Sequence, residues 1–243
     1  MRRYGWVLVL AGLLGAWEAW VDLRSVPDYL LPSPSGIVST LWSQRSLLVS
    51  EAGVTFREMI LGFLAAMVAG LAAATLLQRL PVVRRAVYPL LVALQTVPVV
   101  AVSPLLVINL GFGLSPKILI VALMCFFPVT VNALDGFTAA PADMRRAMLT
   151  LNASPRAIFW RVQLPWAAPR VFSGARIAAT YTAVGALFAE LAGGSGGLED
   201  SMRNQLDTQL VGAAIFMLAL LALALFGAVT LLERVALPWS REG

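Results

Sequence analysis

Residues 210–232 read LVGAAIFMLALLALALFGAVTLL, an apolar run without one charged side chain. A helix rises 1.5 Å per residue, so about 20 such residues cross the hydrocarbon core of a bilayer. A helix on the surface of a soluble domain carries a polar face, and this run has none. Five further stretches are apolar over a comparable length, approximately 5–23, 58–78, 86–110, 116–136 and 171–192. The composition agrees: the 243 residues are 59% hydrophobic and 13% charged, with a mean hydropathy of +0.82. Soluble domains carry roughly 25% charged residues. The sequence therefore predicts an all-α polytopic membrane protein, one domain over 1–243 with about six transmembrane helices.

Several chemistries are excluded by what is missing. The net charge is +5, but the basic residues are spread thinly and are nearly all arginine, Lys117 being the only lysine. Nucleic-acid binding needs a basic stripe or patch. Cys125 is alone inside an apolar run, so neither a disulfide framework nor a cysteine metal site is available. There is no histidine, which removes histidine general acid–base catalysis and histidine-ligated metals. No metal site and no catalytic residue is expected. Met1-Arg2-Arg3 before the apolar run Trp6 to Ala16 has the look of a secretory signal. No small-residue cleavage site follows, and Trp17-Glu18-Ala19-Trp20 reads as an interfacial anchor, so a retained first helix is expected.

Arginine placement sets the orientation. With a cytoplasmic N-terminus, the inner segments hold Arg2, Arg3, Arg79, Arg84, Arg85, Arg145, Arg146, Arg156, Arg161, Arg170, Arg176, Arg234 and Arg241. The outer segments hold Arg24, Arg45, Arg57, Lys117 and Arg203. That bias fits the positive-inside rule and puts both termini in the cytoplasm. Leu23 to Arg57 is then an outer connection, with a helix over Ser35 to Ser46 behind Pro34. The connection 137–170 is an inner one. It reads as two short helices, Asp143 to Leu151 and Pro155 to Val162, broken near Asn152-Ala153-Ser154. Ser154 suits an N-cap and Pro155 the first helical position.

The stretch Arg146-Ala147-Met148-Leu149-Thr150-Leu151-Asn152-Ala153-Ser154, continued by Phe159-Trp160-Arg161-Val162-Gln163-Leu164-Pro165, resembles the cytoplasmic signature of bacterial ABC importer permeases. Val162, Leu164 and Pro165 stand at the family's distances from Asn152. Arg146 stands where the family usually has glutamate, and Asn152 where it usually has glycine. Asparagine tolerates the left-handed backbone that such a glycine serves. Val26 to Ser35, Gln95-Thr96-Val97-Pro98, Ser103 to Val107, Gly111-Phe112-Gly113, Gly185 to Glu190 and Gly197-Leu198 resemble, in order, the nitrate, sulfonate and taurine branch of that family. The resemblance implies a bacterial inner-membrane permease that works as a pair, here a homodimer, with two cytoplasmic ATPase subunits and an external solute-binding protein. It implies ATPase coupling through Arg146, Ala147, Asn152, Ala153, Ser154, Arg156, Arg161, Leu164 and Pro165. Arg156 and Arg161 read as docking groups for acidic residues on the ATPase, or only as charges that enforce orientation, and the reversal at Arg146 implies a compensating change in the ATPase. The chain has no phosphate-binding loop, since Gly193 to Gly197 lacks the lysine and hydroxyl, so ATP and magnesium are expected on the partner and no cofactor on this chain.

Glu190 near the end of the fifth span has two readings. It belongs to a translocation path with Gln95, Thr96, Tyr181 and Thr182, or it is a helix-end carboxylate, hydrated or paired with Arg203. Glu18 reads as interfacial, and Asn109 and Asp135 as solvated span ends. Pro98, Pro104 and Pro128 can kink their spans. Gly62, Ala66 and Gly70 form a small-residue face for close helix packing. Ala178 to Ala186, Asn204 to Val211 and Leu232 to Trp239 are most similar to permeases for the pyrimidine precursor of thiamine. Riboflavin permeases, and nitrate, sulfonate or taurine permeases, are the alternatives. A gradient-driven secondary transporter would show internal repeats and charged midplane pairs. The sequence gives no clear repeat, and its charges fall at span ends.

Overall fold

The computed structural model describes residues 5–28, 30–193, 196–198 and 207–238. The elements among them are helical: α1 (Gly5–Leu23), α2 (Pro34–Ser43), α3 (Arg45–Arg79), α4 (Pro81–Leu94), α5 (Val99–Leu110), α6 (Leu114–Thr138), α7 (Ala142–Thr150), α8 (Pro155–Ile158), α9 (Leu164–Gly193) and α10 (Thr208–Ala236). A π-helical turn, Phe159–Gln163, joins α8 to α9. Pro165 has no N–H to return to the carbonyl four residues back, so the wider turn forfeits no bond there.

Four helical stretches are long and apolar enough to cross a membrane: Arg45–Arg79, Leu114–Thr138, Pro155–Ala192 and Thr208–Ala236. A fifth crossing requires α4 and α5 to count as one, and they meet at 95°. The expected continuous span 86–110 is therefore broken, at Gln95 to Pro98. Pro98 cannot donate into a helix and pushes Val97 out of helical geometry. Pro104 and Pro128 lie inside unbroken helices. The expected outer connection 23–57 is likewise mostly helix, because α3 begins at Arg45 and not at 58. The expected first span is one helix, α1, which carries Glu18 and Asp22 in its second half.

The described residues form two compact units, one drawn from Met1–Phe56 and Gly194–Leu220, the other from Arg57–Gly193 and Leu221–Gly243. The second is built on α6 and α9, which run antiparallel. Gly136 meets Ala167, Gly174 meets Asn132, and Gly185 meets Val121, each so close that an added Cβ would lie 2.7–3.1 Å from the neighbour. α3 closes on α6 the same way: a Cβ on Gly62 would sit 2.5 Å from Val121, and one on Gly70 2.8 Å from Val129. The small face expected at Gly62, Ala66 and Gly70 is thus a helix contact, and all three are buried. Ala66, Ala74, Ala133, Ala175, Ala178, Ala179, Ala186 and Ala189 fill the interior, while Leu64, Val68, Leu76, Leu223, Leu231 and Leu232 are exposed. Small residues inside and large apolar ones outside is the arrangement of helices that pack in lipid, where hydrocarbon gives large side chains no reason to turn inward.

In the first unit, Glu18 of α1 accepts hydrogen bonds from the Ser35 backbone N–H and hydroxyl in the first turn of α2. A carboxylate there also meets the positive end of the helix dipole. Ser33 caps α2 through the Gly36 N–H at 3.1 Å. Gln209 bridges Asp28 and Thr40, and Gly212 packs on Ile37. Asp207 caps α10 through the N–H groups of Gln209 and Leu210. Arg24 lies over Trp20 and Arg45 over Trp42, with 5.0 and 5.1 Å from guanidinium to ring centre.

Candidate functional site

Two regions hold most of the residues that the sequence singles out. The first is the segment α7–α8. α7 has no buried residue, and Met144, Leu149 and Leu151 are exposed on it or just beyond. It ends in a turn whose geometry depends on Asn152, which has φ 52. The Ala153 N–H reaches back to the Met148 carbonyl and the Asn152 N–H to the Leu149 carbonyl, both at 3.0 Å. That pair of bonds is a Schellman motif with asparagine in the usual glycine place. Two residues later Ser154 begins the next helix, its hydroxyl accepting from the Ala157 N–H at 3.2 Å, with Pro155 at the first position. The expected break and cap are both present.

The base of this segment is fixed. Ile158 and Val162 are buried, and Phe159 joins the core of Leu91, Leu134, Phe137 and Ala167. The Phe137 and Phe159 rings lie 5.5 Å apart, and the Gln78 amide donates to the Gln163 side-chain oxygen at 2.7 Å. α7 is thus an exposed helix on a packed footing. Ala147 and Arg146 sit in it, and Arg146 lies 3.7 Å from Asp143 in the same helix, both side chains exposed. Between α7 and the end of α3 lies an open cleft of about 870 Å³, lined by Arg79, Arg145, Leu149, Arg156, Phe159 and Trp160 among others. Arg161 is exposed outside it, and Leu164 and Pro165 are half-buried at the start of α9.

The second region is the break between α4 and α5. A cavity of about 230 Å³ there is lined by Gln95, Thr96, Val97 to Val100, Met124, Phe127, Pro128 and Tyr181. The structure therefore brings Gln95, Thr96 and Tyr181 together. Thr182 and Glu190 do not line this cavity. Thr182 is buried, with its hydroxyl on the Ala179 carbonyl at 2.7 Å. Glu190 is buried at 1% exposure, so it is not a hydrated helix end. Arg203, the partner expected under one reading, lies outside the described residues, as do Arg2, Arg3, Glu199, Asp200 and Arg241.

The sequence reading missed a buried ion pair. Glu58 of α3 accepts from Lys117 of α6 at 2.9 Å, with side chains 2% and 4% exposed. The sequence reads Lys117 as part of an outer segment and the charges as lying at span ends; the structure makes the pair interior, one turn from the Gly62–Val121 contact. The register that sets Gly185 on Val121 also brings Glu190 to the level of Lys117. The available signal was Lys117 itself, a lone lysine in a chain that otherwise uses arginine. Arg176 and Glu233 form a second ion pair, between α9 and α10.

Comparison with known proteins places this geometry in context. Residues 62–236 match the family described as binding-protein-dependent transport system inner membrane component. A formylaminopyrimidine transport permease protein of Halalkalibacterium halodurans is 35% identical over 95% of this chain and 93% of its own length. A riboflavin transport system permease protein of Chloroflexus aurantiacus is 30% identical over 98% of this chain and 93% of its own. A taurine transport system permease protein of Escherichia coli is 29% identical over 96% and 88%. Permeases of this kind are non-catalytic subunits served by an ATPase and a solute-binding protein. The chain belongs to the binding-protein-dependent transport system inner membrane component family, and is a multi-pass plasma-membrane permease of an ABC importer.

Proposed function

We propose that this permease moves the formylated aminopyrimidine precursor of thiamine inward by alternating access, coupled through α7. Similarity over nearly the whole chain to the formylaminopyrimidine permease supports the substrate. The observation that carries the mechanism is the exposed α7 on its packed footing. A helix with free Met144, Leu149 and Leu151 side chains can enter a recess on the ATPase. Arg79, Arg145 and Arg156 around the adjoining cleft suit acidic groups on that partner, and Arg161 offers a further contact. Closure of the ATPase around ATP and magnesium then pushes α7, and the Phe137–Phe159 and Gln78–Gln163 contacts pass the push to α6, α9 and α3. This chain itself holds no cofactor. A ligand shifts the two states only through its different affinity for them, so loaded binding protein must favour the state that ATP also favours.

In this reading the assembly holds two permease copies and two ATPase subunits, with α7 and both termini in the cytoplasm. Riboflavin and taurine transport are the competing substrate readings, from the relatives of 30% and 29% identity. The test is ATP hydrolysis by the permease and its ATPase in lipid, with each loaded binding protein in turn. Stimulation by the formylaminopyrimidine-loaded protein is expected. Stimulation by the taurine- or riboflavin-loaded protein alone would overturn the substrate, and absence of any associated ATPase would overturn the coupling.

A further inference from the structure

We infer that the cavity at the α4–α5 break is a substrate subsite of the permease itself, selective for an uncharged single-ring heterocycle. The inference rests on the importer reading above and adds selectivity within the membrane to whatever the binding protein supplies.

Four observations carry it. First, the chain is broken inside an apolar stretch: α4 and α5 meet at 95° with Gln95 to Pro98 between them. Non-helical backbone is tolerated there only where it is buried or lines a polar cavity. Second, the break leaves unspent hydrogen-bonding groups. Pro98 gives α5 no side-chain cap, and the first-turn N–H groups of a helix have no acceptor within it, so Val99 and Val100 bring donors to the cavity wall. The Gln95 amide and the Tyr181 hydroxyl make no hydrogen bond among the described residues, whereas Thr96 has spent its hydroxyl on the Ala93 carbonyl at 2.7 Å. Third, the aromatic residues Tyr181 and Phe127 line the cavity beside Gln95, and an aromatic lining suits a planar ligand. Fourth, no charged residue lines it, and about 230 Å³ is below the range of pockets that hold drug-sized ligands.

These features sort the candidate solutes by chemistry. A sulfonate would meet the first-turn N–H groups of α5, but its full charge finds no arginine or lysine in this lining, and burying it without a counter-charge is costly. A fused three-ring system is larger than the enclosed volume and would leave ring surface outside it, beside the exposed Val97 and Val100 side chains. A single neutral ring with ring-nitrogen or formyl acceptors, and an exocyclic amino donor, matches both the free N–H groups and the Gln95 side chain, whose amide can donate and accept.

The test is equilibrium binding of radiolabelled formylaminopyrimidine to the permease–ATPase complex in lipid nanodiscs, without binding protein. Competition by unlabelled riboflavin and taurine is measured alongside. Saturable binding is expected, unaffected by taurine or riboflavin and at least tenfold weaker in Gln95→Ala and in Tyr181→Ala. Tyr181→Phe is expected to keep most of the stacking and lose less than Tyr181→Ala. Retention of the ATPase by each variant reports folding. Should a variant fail to assemble, the competition profile of the unmodified complex decides alone. Competition by taurine, competition by riboflavin, or equal binding in the assembled variants overturns the subsite. Absence of binding while loaded binding protein still stimulates ATP hydrolysis also overturns it and leaves the importer reading intact. Failure of the ATPase to associate strikes the importer reading, and direct binding to the permease still decides the subsite.

Discussion

Asn152 shows how one side chain preserves a turn whose usual residue is absent. Left-handed backbone costs an ordinary L-residue about 1–2 kcal/mol, glycine nothing and asparagine little. With φ 52 and both Schellman bonds in place, Asn152→Gly is expected to leave thermal stability unchanged or slightly raised. Asn152→Val, with a branched Cβ, is expected to lower the thermal midpoint of the purified complex by a few degrees and to reduce ATPase coupling. Equal midpoints for the two variants would mean that the turn is not held in this conformation. Ser154→Ala removes the acceptor for the Ala157 N–H and is expected to destabilise by about 1 kcal/mol, read in the same melts. Arg146 differs: its exposed contact with Asp143 is of the kind worth little, so Asp143→Ala should leave the melt unchanged.

At the scale of elements, the Glu58–Lys117 pair and the glycine contacts hold α3 against α6. Removing one partner leaves a buried charge alone, so Lys117→Met is expected to destabilise by about 3–5 kcal/mol. Glu58→Leu combined with Lys117→Met should recover the part of that loss that belongs to the stranded Glu58 charge, because well-packed apolar residues often replace a buried pair at no penalty. Purified yield and thermal midpoint report both, and a double variant no better than the single one would contradict the pair as drawn. Gly62→Val would drive its side chain into Val121 and should abolish stable folding.

The same elements show what a sequence can and cannot disclose. Apolar runs located α3, α6, α9 and α10, since lipid demands them. They did not locate the start of α3, where Arg45, Glu51 and Arg57 are polar. That end of α3 makes tertiary bonds invisible to hydropathy, Glu51 to the Gly197 N–H and Thr55 to the Leu198 N–H. The α4–α5 break was hidden for the converse reason, because the run 86–110 stays apolar straight through it. Ser154, Pro155 and Asn152 were legible because caps and turns depend on neighbours in the chain. Glu58 and Lys117 were not, because their pairing depends on the register of two helices 59 residues apart in sequence.

At the scale of the molecule, the account joins an exposed helix, a packed bundle and an uncharged cavity at a helix break into one transport cycle. Its central claim is that α7 contacts the ATPase. The most direct measurement is site-specific crosslinking from Ala147→Cys in the complete importer, where the one native cysteine, Cys125, is buried. The account predicts a crosslink to the ATPase subunit, sensitive to ATP, and none to the solute-binding protein. A crosslink to the solute-binding protein, or none to the ATPase in an assembled and active complex, would contradict it.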